Sequence, residues 1–453
     1  MKVKAFSVLV LFYSVIGFSQ EQENGIHYKQ LKDDFKTSAK EQLLDKWYPL
    51  AMDIEDGGFY SDITYDFKLG ENHNKMIVTQ ARHVWTNAVA AEIFEEKRYL
   101  EYATHGFKFL RDVMWDDQNG GFHQLVSKKG EPILQQGQEK TAYGNAFAIY
   151  GLAAYYRASG NEEALELAKK SFQWLEEHSH DPENGGYFQT LHLDGTPLVR
   201  TNATPSTSDV GYKDQNSSIH LLEAFTALYE VWPDELLAER LQELLLIVRD
   251  TITSEKGYMR LFFEADWTPV SFQQESKEVI AEHYYLDHVS FGHDVETAYL
   301  MLEASHALGI ENDSLTLIKG KKMVDHALKT GWDVNVGGFY DGGYYFNNAE
   351  GITIVNADKN WWSQAEGLNS LLLMTRYFPE DEMDYYRHFQ KLWNYTEAYL
   401  MDPKYGGWYE WGLDETPSSE HDRKGHIWKA AYHNFRALTN CMHQLELLQK
   451  DMK

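Results

Sequence analysis

Three histidines, His220, His293 and His433, each fall near the start of an apolar helical segment, and Glu296 lies three residues beyond His293. An imidazole with a carboxylate one turn away is equipped for general acid–base work, because the carboxylate fixes its tautomer and raises its basicity. Asn216 and His220 are four residues apart, and so are Trp362 and Glu366, so each of these pairs shares one helix face. Two further segment starts carry Arg82 with Trp85, and Tyr143. The six starts recur at nearly one spacing, so a closed ring of equivalent helices would bring them to a single mouth. His83, His178 and His421 lack this register and are read as structural or exposed members of a set of 19 histidines.

Other chemistries find less support. His283, His288 and His293 lie close together but lack HExxH spacing, so no metal is expected. Walker-type, GxGxxG and GxSxG patterns are absent, so no nucleotide cofactor or serine-hydrolase elbow is expected. Cys441 is the only cysteine, which rules out an intramolecular disulfide and leaves thiolate catalysis and cysteine-based zinc binding without residues.

The elements that must position these residues follow from repetition. A glycine–aromatic turn recurs as Gly57-Gly58-Phe59, Gly120-Gly121-Phe122, Gly185-Gly186-Tyr187, a reduced Gly257-Tyr258, Gly337-Gly338-Phe339 and Gly406-Gly407-Trp408. Glycine supplies backbone angles that other residues resist, and the aromatics begin short strands. Between the turns, charged amphipathic segments such as residues 161–177 alternate with apolar ones such as residues 143–156. The first kind belongs at a surface and the second inside. Six copies of outer helix, turn and inner helix predict an all-α fold, an (α/α)6 barrel of twelve helices with short hairpin insertions. One domain is expected over residues 20–453.

Residues 1–19 read as a secretory leader: Lys2 and Lys4 precede an apolar run, and Gly17-Phe18-Ser19 offers a cleavage site. The protein is therefore expected to be exported, periplasmic or secreted, without membrane insertion, as a monomer or weak dimer. A net charge of −27 repels phosphate backbones and argues against nucleic acid. A neutral substrate suits it better than a polyanionic one, and an aromatic content of 14% includes ring faces of the kind carbohydrate-binding pockets use, although most such rings fill a core.

At these positions the sequence resembles the N-acylglucosamine 2-epimerase superfamily, and within it the cellobiose (mannobiose) 2-epimerases. The similarity runs through Arg82-His83-Val84-Trp85, residues 143–148, residues 216–225, Phe262-Phe263 with Asp266-Trp267-Thr268-Pro269, residues 290–296, 361–366 and 428–434. It implies cofactor-independent epimerisation at C2 of the reducing-end sugar of a neutral mono- or disaccharide. The ring opens, a base removes the C2 proton to give a cis-enediolate, and an acid returns a proton to the opposite face. By resemblance, His293 and His433 are the acid–base pair, one neutral and one charged, and Glu296 orients His293. His220, Asn216, Arg82 and Tyr143 would donate to the enediolate and hydroxyls, Trp362 and Trp428 would stack on sugar faces, and Glu366 would hold hydroxyls.

Two substitutions depart from the family pattern: Ser218 stands where a second histidine is usual, and Ala430-Ala431 replaces a Cys-Pro pair. They leave aldose–ketose isomerisation and N-acylglucosamine epimerisation open. A glycoside hydrolase using Glu296 and Glu366, and a non-catalytic sugar-binding protein, are the remoter readings.

Overall fold

Charged outer faces and apolar inner faces sort the helices into two concentric rings. The computed structural model describes residues 27–134, 139–348 and 350–451, so the expected leader lies outside the described residues. The inner ring comprises α2 (Ile77–Phe94), α4 (Ala142–Ser159), α6 (Gln215–Val231), α9 (Phe291–Ala307), α11 (Trp361–Tyr377) and α13 (Tyr432–Asp451). The outer ring comprises α1 (residues 27–47), α3 (Lys97–Phe109), α5 (Glu162–His178), α7 (Glu235–Leu246), α10 (Ser314–Thr330) and α12 (Tyr385–Tyr395). Each inner helix packs on the next, and α13 returns against α2 to close an (α/α)6 barrel. A thirteenth helix, α8 (Lys277–Asp287), precedes α9 and was not foreseen. No described helix is long and apolar enough to cross a membrane.

The apolar inner helices can approach one another closely because small residues line their contacts. A Cβ at Gly151 would meet the Ala81 carbonyl oxygen at 2.8 Å, so α2 and α4 meet backbone to backbone there. The glycine turns behave as expected. Gly120 and Gly121 have φ of +68° and +70°, and a Cβ on the second would strike the Trp174 ring at 2.7 Å.

Short antiparallel strand pairs stitch neighbouring repeats: β1 (Lys75–Met76) with β2 (Leu125–Val126), β3 (Lys140–Thr141) with β4 (Thr190–Leu191), and β5 (Lys213–Asp214) with β6 (Phe262–Phe263). The fourth sheet has three strands, β7 (Val289–Ser290), β8 (Gly342–Tyr344) and β9 (Thr353–Asn356). In each case the strand before an inner helix binds a hairpin of the following repeat, and isolated bridges Asn360–Trp411 and Gly425–Ile63 tie the segments before α11 and α13, so the inner-helix N-termini are held at one end of the ring.

A buried ion pair rivets these joints. Lys213 Nζ donates to Asp181 Oδ2 at 2.7 Å, to the Gly185 carbonyl at 2.8 Å and to the Ala265 carbonyl at 2.8 Å. Lys75–Asp53, Lys140–Asp116, Lys359–Asp333 and Lys424–Asp402 repeat the pairing. Burial alone would raise the Asp181 carboxyl, but Lys213 and the turn amides outweigh it and hold the group near 2. In the fourth repeat both partners are missing together, with Ser254 and Val289 in their places. That is the arrangement electrostatics demands, since half of a buried pair costs far more than none. Lys213→Met should therefore destabilise the fold by about 3–5 kcal/mol in urea unfolding. The double variant Lys213→Val/Asp181→Ser, which copies the fourth repeat, should recover most of that loss, and an additive loss would contradict the pairing.

Candidate active site

At the end of the ring where the inner helices start, the first turns of α4, α6 and α9 and the adjoining strands and loops line a cavity of about 360 Å³. Tyr143, Asn216, His293 and Trp428, four of the expected site residues, line it. Trp428 is 47% exposed and stands at the rim. It sits on a tight turn in which the backbones of His426 and Lys429 bond each other at 3.0 and 3.2 Å. The Trp428 amide donates to His426 Nδ1 at 3.2 Å, and His426 Nε2 meets both oxygens of Glu410 at 3.1 Å. His426 thus links Glu410 to the Trp428 amide and holds the rim tryptophan in place.

Arg82 is buried beneath the rim, donating to the Tyr143 hydroxyl at 3.2 Å and to the Trp428 carbonyl at 3.1 Å. Its Nε has no protein partner. The guanidinium lies over the Phe147 and Tyr432 rings, 4.3 and 5.0 Å from their centroids. The His220 ring lies 5.2 Å from Tyr143 and 4.7 Å from Phe147. Trp362 packs against both His293 and His433, with ring centroids 4.6 and 5.9 Å away. Of the three histidines, His293 lines the cavity, whereas His220 lies behind Tyr143 and His433 behind Trp362.

Two expected roles need correction. Glu296 does not orient His293, because its carboxylate bonds the Arg436 guanidinium. The His293 partner is instead Ser290, one turn earlier, with Oγ to Nδ1 at 2.8 Å. Glu366 does not reach the cavity: it is fully buried, Oε1 meets His433 Nδ1 at 2.6 Å and Arg436 at 2.7 Å, and Oε2 accepts from Tyr299 at 2.7 Å. Glu366 is the partner of His433. The same chemistry recurs at His220, whose Nδ1 meets Glu223 Oε2 at 2.9 Å.

Arg436, which the sequence reading passed over, organises this floor. It is buried and bonds Glu223, Glu296 and Glu366, together with the Tyr432 hydroxyl at 2.6 Å. Burial would raise the Glu223 carboxyl, but Arg436 outweighs it and brings the group to about 2. One cation cannot balance three carboxylates, so burial, together with the charge of Glu366 on Glu296, pushes Glu296 and Glu366 upward. Burial depresses His293 to about 3, and His220, His288 and His433 add to that. Burial and the charges of Arg82 and Arg436 likewise push His433 well down. Burial thus disfavours the charged form of both rings, where one neutral and one charged imidazole were expected, and it favours protonation of the carboxylates beneath them. One sequence signal for the floor was available, since Glu223 and Arg436 each lie three residues after a site histidine.

Two groups among the described residues bring enough ligand atoms together for a metal ion, Glu296/Glu366/His433 and Asp333/Asp414/Glu415. Arg436 already answers the first, and Lys359 Nζ bonds Asp333 and Asp414 in the second. His283, His288 and His293 do not converge, as each has its own hydrogen-bond partners.

Residues 58–437 match the N-acylglucosamine 2-epimerase (GlcNAc 2-epimerase) family. The chain belongs to that family. It is similar to the cellobiose 2-epimerase of Bacteroides fragilis, 29% identical over 408 residues that cover 90% of this chain and 97% of that one. The D-mannose isomerase of Marinomonas mediterranea is 24% identical over 412 residues, covering 90% and 96%. The solved structure of the cellobiose 2-epimerase from Bacillus thermoamylovorans B4167 matches with a TM-score of 0.79 at 25% identity, covering 92% of this chain and all of that one. This member of the family is thus a carbohydrate epimerase/isomerase-type enzyme on an (α/α)6 barrel.

Within this epimerase-family site, Arg436→Met should lower stability at pH 7 by about 3–5 kcal/mol, because it strands buried carboxylates. Their folded-state pKa values would then lie above the unfolded ones, so the deficit should shrink as pH falls towards 5. Urea midpoints measured across that range check this, and a pH-independent deficit would contradict it.

Proposed function

We propose that this enzyme interconverts the glucose and mannose configurations at C2 of a reducing-end sugar, with a β-1,4-linked disaccharide such as cellobiose or mannobiose as substrate. The observation that carries this reading is that His293, on the cavity wall, and His433, behind it, pack on the same Trp362 ring and have different partners. A neutral imidazole can take the C2 proton from the opened sugar. The opposite face needs a donor, and the His433–Glu366 pair can supply it. With Glu366 protonated, His433 gives its Nε2 proton to C2 while Nδ1 takes the carboxyl proton, and the pair ends as neutral imidazole and carboxylate. Arg82 and His220 are suited to hold the enediolate oxygens, an oxyanion-hole role.

Aldose–ketose isomerisation is the second reading, supported by the similarity to a D-mannose isomerase. It uses the same enediolate and differs only in returning the proton to C1. A hydrolase would need two carboxylates straddling a glycosidic bond. Glu296 and Glu366 are instead sealed against Arg436, at 1% and 0% exposure.

In deuterated water, incubation with cellobiose should yield the C2 epimer labelled at C2. A ketose product would select the isomerase reading, and unlabelled, unchanged sugar would reject both. His293→Ala and His433→Ala should each slow turnover by about 10²–10⁴-fold while circular dichroism shows the fold intact. Unchanged turnover in both would remove the mechanism.

A further inference from the structure

We propose that Asp214, together with Gln215, forms a specificity-determining wall of this cavity that selects substrates through their hydroxyl donors and rejects anionic sugars. The inference rests on the sugar-binding reading of the cavity. Asp214, Gln215 and Asn216 are consecutive at the start of α6, and all three line the cavity. Each carries a buried oxygen without a protein partner: Asp214 Oδ2, Gln215 Oε1 and Asn216 Oδ1. Asp214 and Gln215 are each only 5% exposed, so bulk water does not satisfy them.

Capping does not explain the charge. Asp214 Oδ1 accepts the Ser217 amide at 2.7 Å and completes the helix cap with one oxygen. The equivalent caps elsewhere in the ring are Thr141, accepting from Gly144 at 2.9 Å, and Asn360, accepting from Ser363 at 2.8 Å, and neither is charged. The second carboxylate oxygen, Oδ2, is surplus to the cap and has no protein partner. Asp209 lines the same cavity, and among the described residues no Lys or Arg lines it, Arg82 lying behind Tyr143 and Trp428 on another part of the wall. Such a wall is satisfied only by ligand groups that donate, namely sugar hydroxyls. A phosphate or carboxylate brings acceptors to acceptors and charge to like charge.

Asp214→Asn isolates the effect, because Asn caps helices as well as Asp and changes only the surplus oxygen. Titration calorimetry would compare the alditol of cellobiose with its counterpart carrying a carboxylate in place of the terminal hydroxymethyl group. The wild-type protein should bind the neutral alditol and discriminate against the acid, and Asp214→Asn should weaken the alditol about 10–100-fold and narrow the discrimination at least tenfold. Burial, assisted by Asp209, holds the Asp214 carboxyl up at about 6, with Tyr285, His288 and His293 facing the same cavity. Wild-type affinity should therefore fall as pH drops below about 6, where the acceptor is protonated, and this limb should vanish in the Asn variant. Equal affinities and discrimination in the two proteins would overturn the assignment of Asp214 alone. A wild-type protein that binds neither ligand would overturn it together with the reading of the cavity as a sugar site.

Discussion

One guanidinium buried among three carboxylates is the constraint on which the rest of the site depends. Arg436 comes from α13, while Glu223, Glu296 and Glu366 come from α6, α9 and α11, so four of the six inner helices meet at one charge. Such a cluster is a poor way to gain stability, since desolvating four ions costs about as much as their attraction returns. It is a good way to fix geometry. Two of the three carboxylates present their remaining bonding capacity to imidazoles, His220 and His433, and so aim both rings. The surplus negative charge also favours protonation of Glu296 and Glu366 beneath the cavity, where an acid catalyst needs a proton.

The ring around this floor applies one joint repeatedly and breaks it where the site opens. Five Lys–Asp rivets bind turns to hairpins, and the fourth repeat lacks both partners. That same repeat carries the extra helix α8 before β7, and Tyr285 and His288 from this stretch line the cavity. The most regular parts of the barrel therefore supply rigidity, and its least regular part shapes the wall that meets the ligand.

Much of the fold was legible in the sequence because its signals are local. Glycine turns at positive φ and the alternation of amphipathic and apolar segments depend on nearest neighbours, and both are present as read. The register of the inner-helix starts held in part: Tyr143, Asn216 and His293 line one cavity, while Arg82, Trp362 and His433 lie behind its wall, and Trp428 reaches the rim from the turn before α13. Side-chain partners were harder. The one-turn rule holds for His220 with Glu223 but fails for His293, where Ser290 on the preceding turn is nearer than Glu296. Arg436 and the rivet lysines were passed over because charged residues are ordinarily read as surface, and only three-dimensional closure shows them buried. Glu366 was assigned to substrate for the same reason, as its partner His433 lies on another helix.

The account requires that one sugar carbon sit between two imidazoles. A crystal structure with the alditol of cellobiose, which cannot react, tests this most directly. The account predicts C2 flanked by His293 Nε2 on one face and His433 Nε2 on the other, each at about 3–3.5 Å. An alditol bound with both rings on one face, or seated away from this cavity, would contradict it.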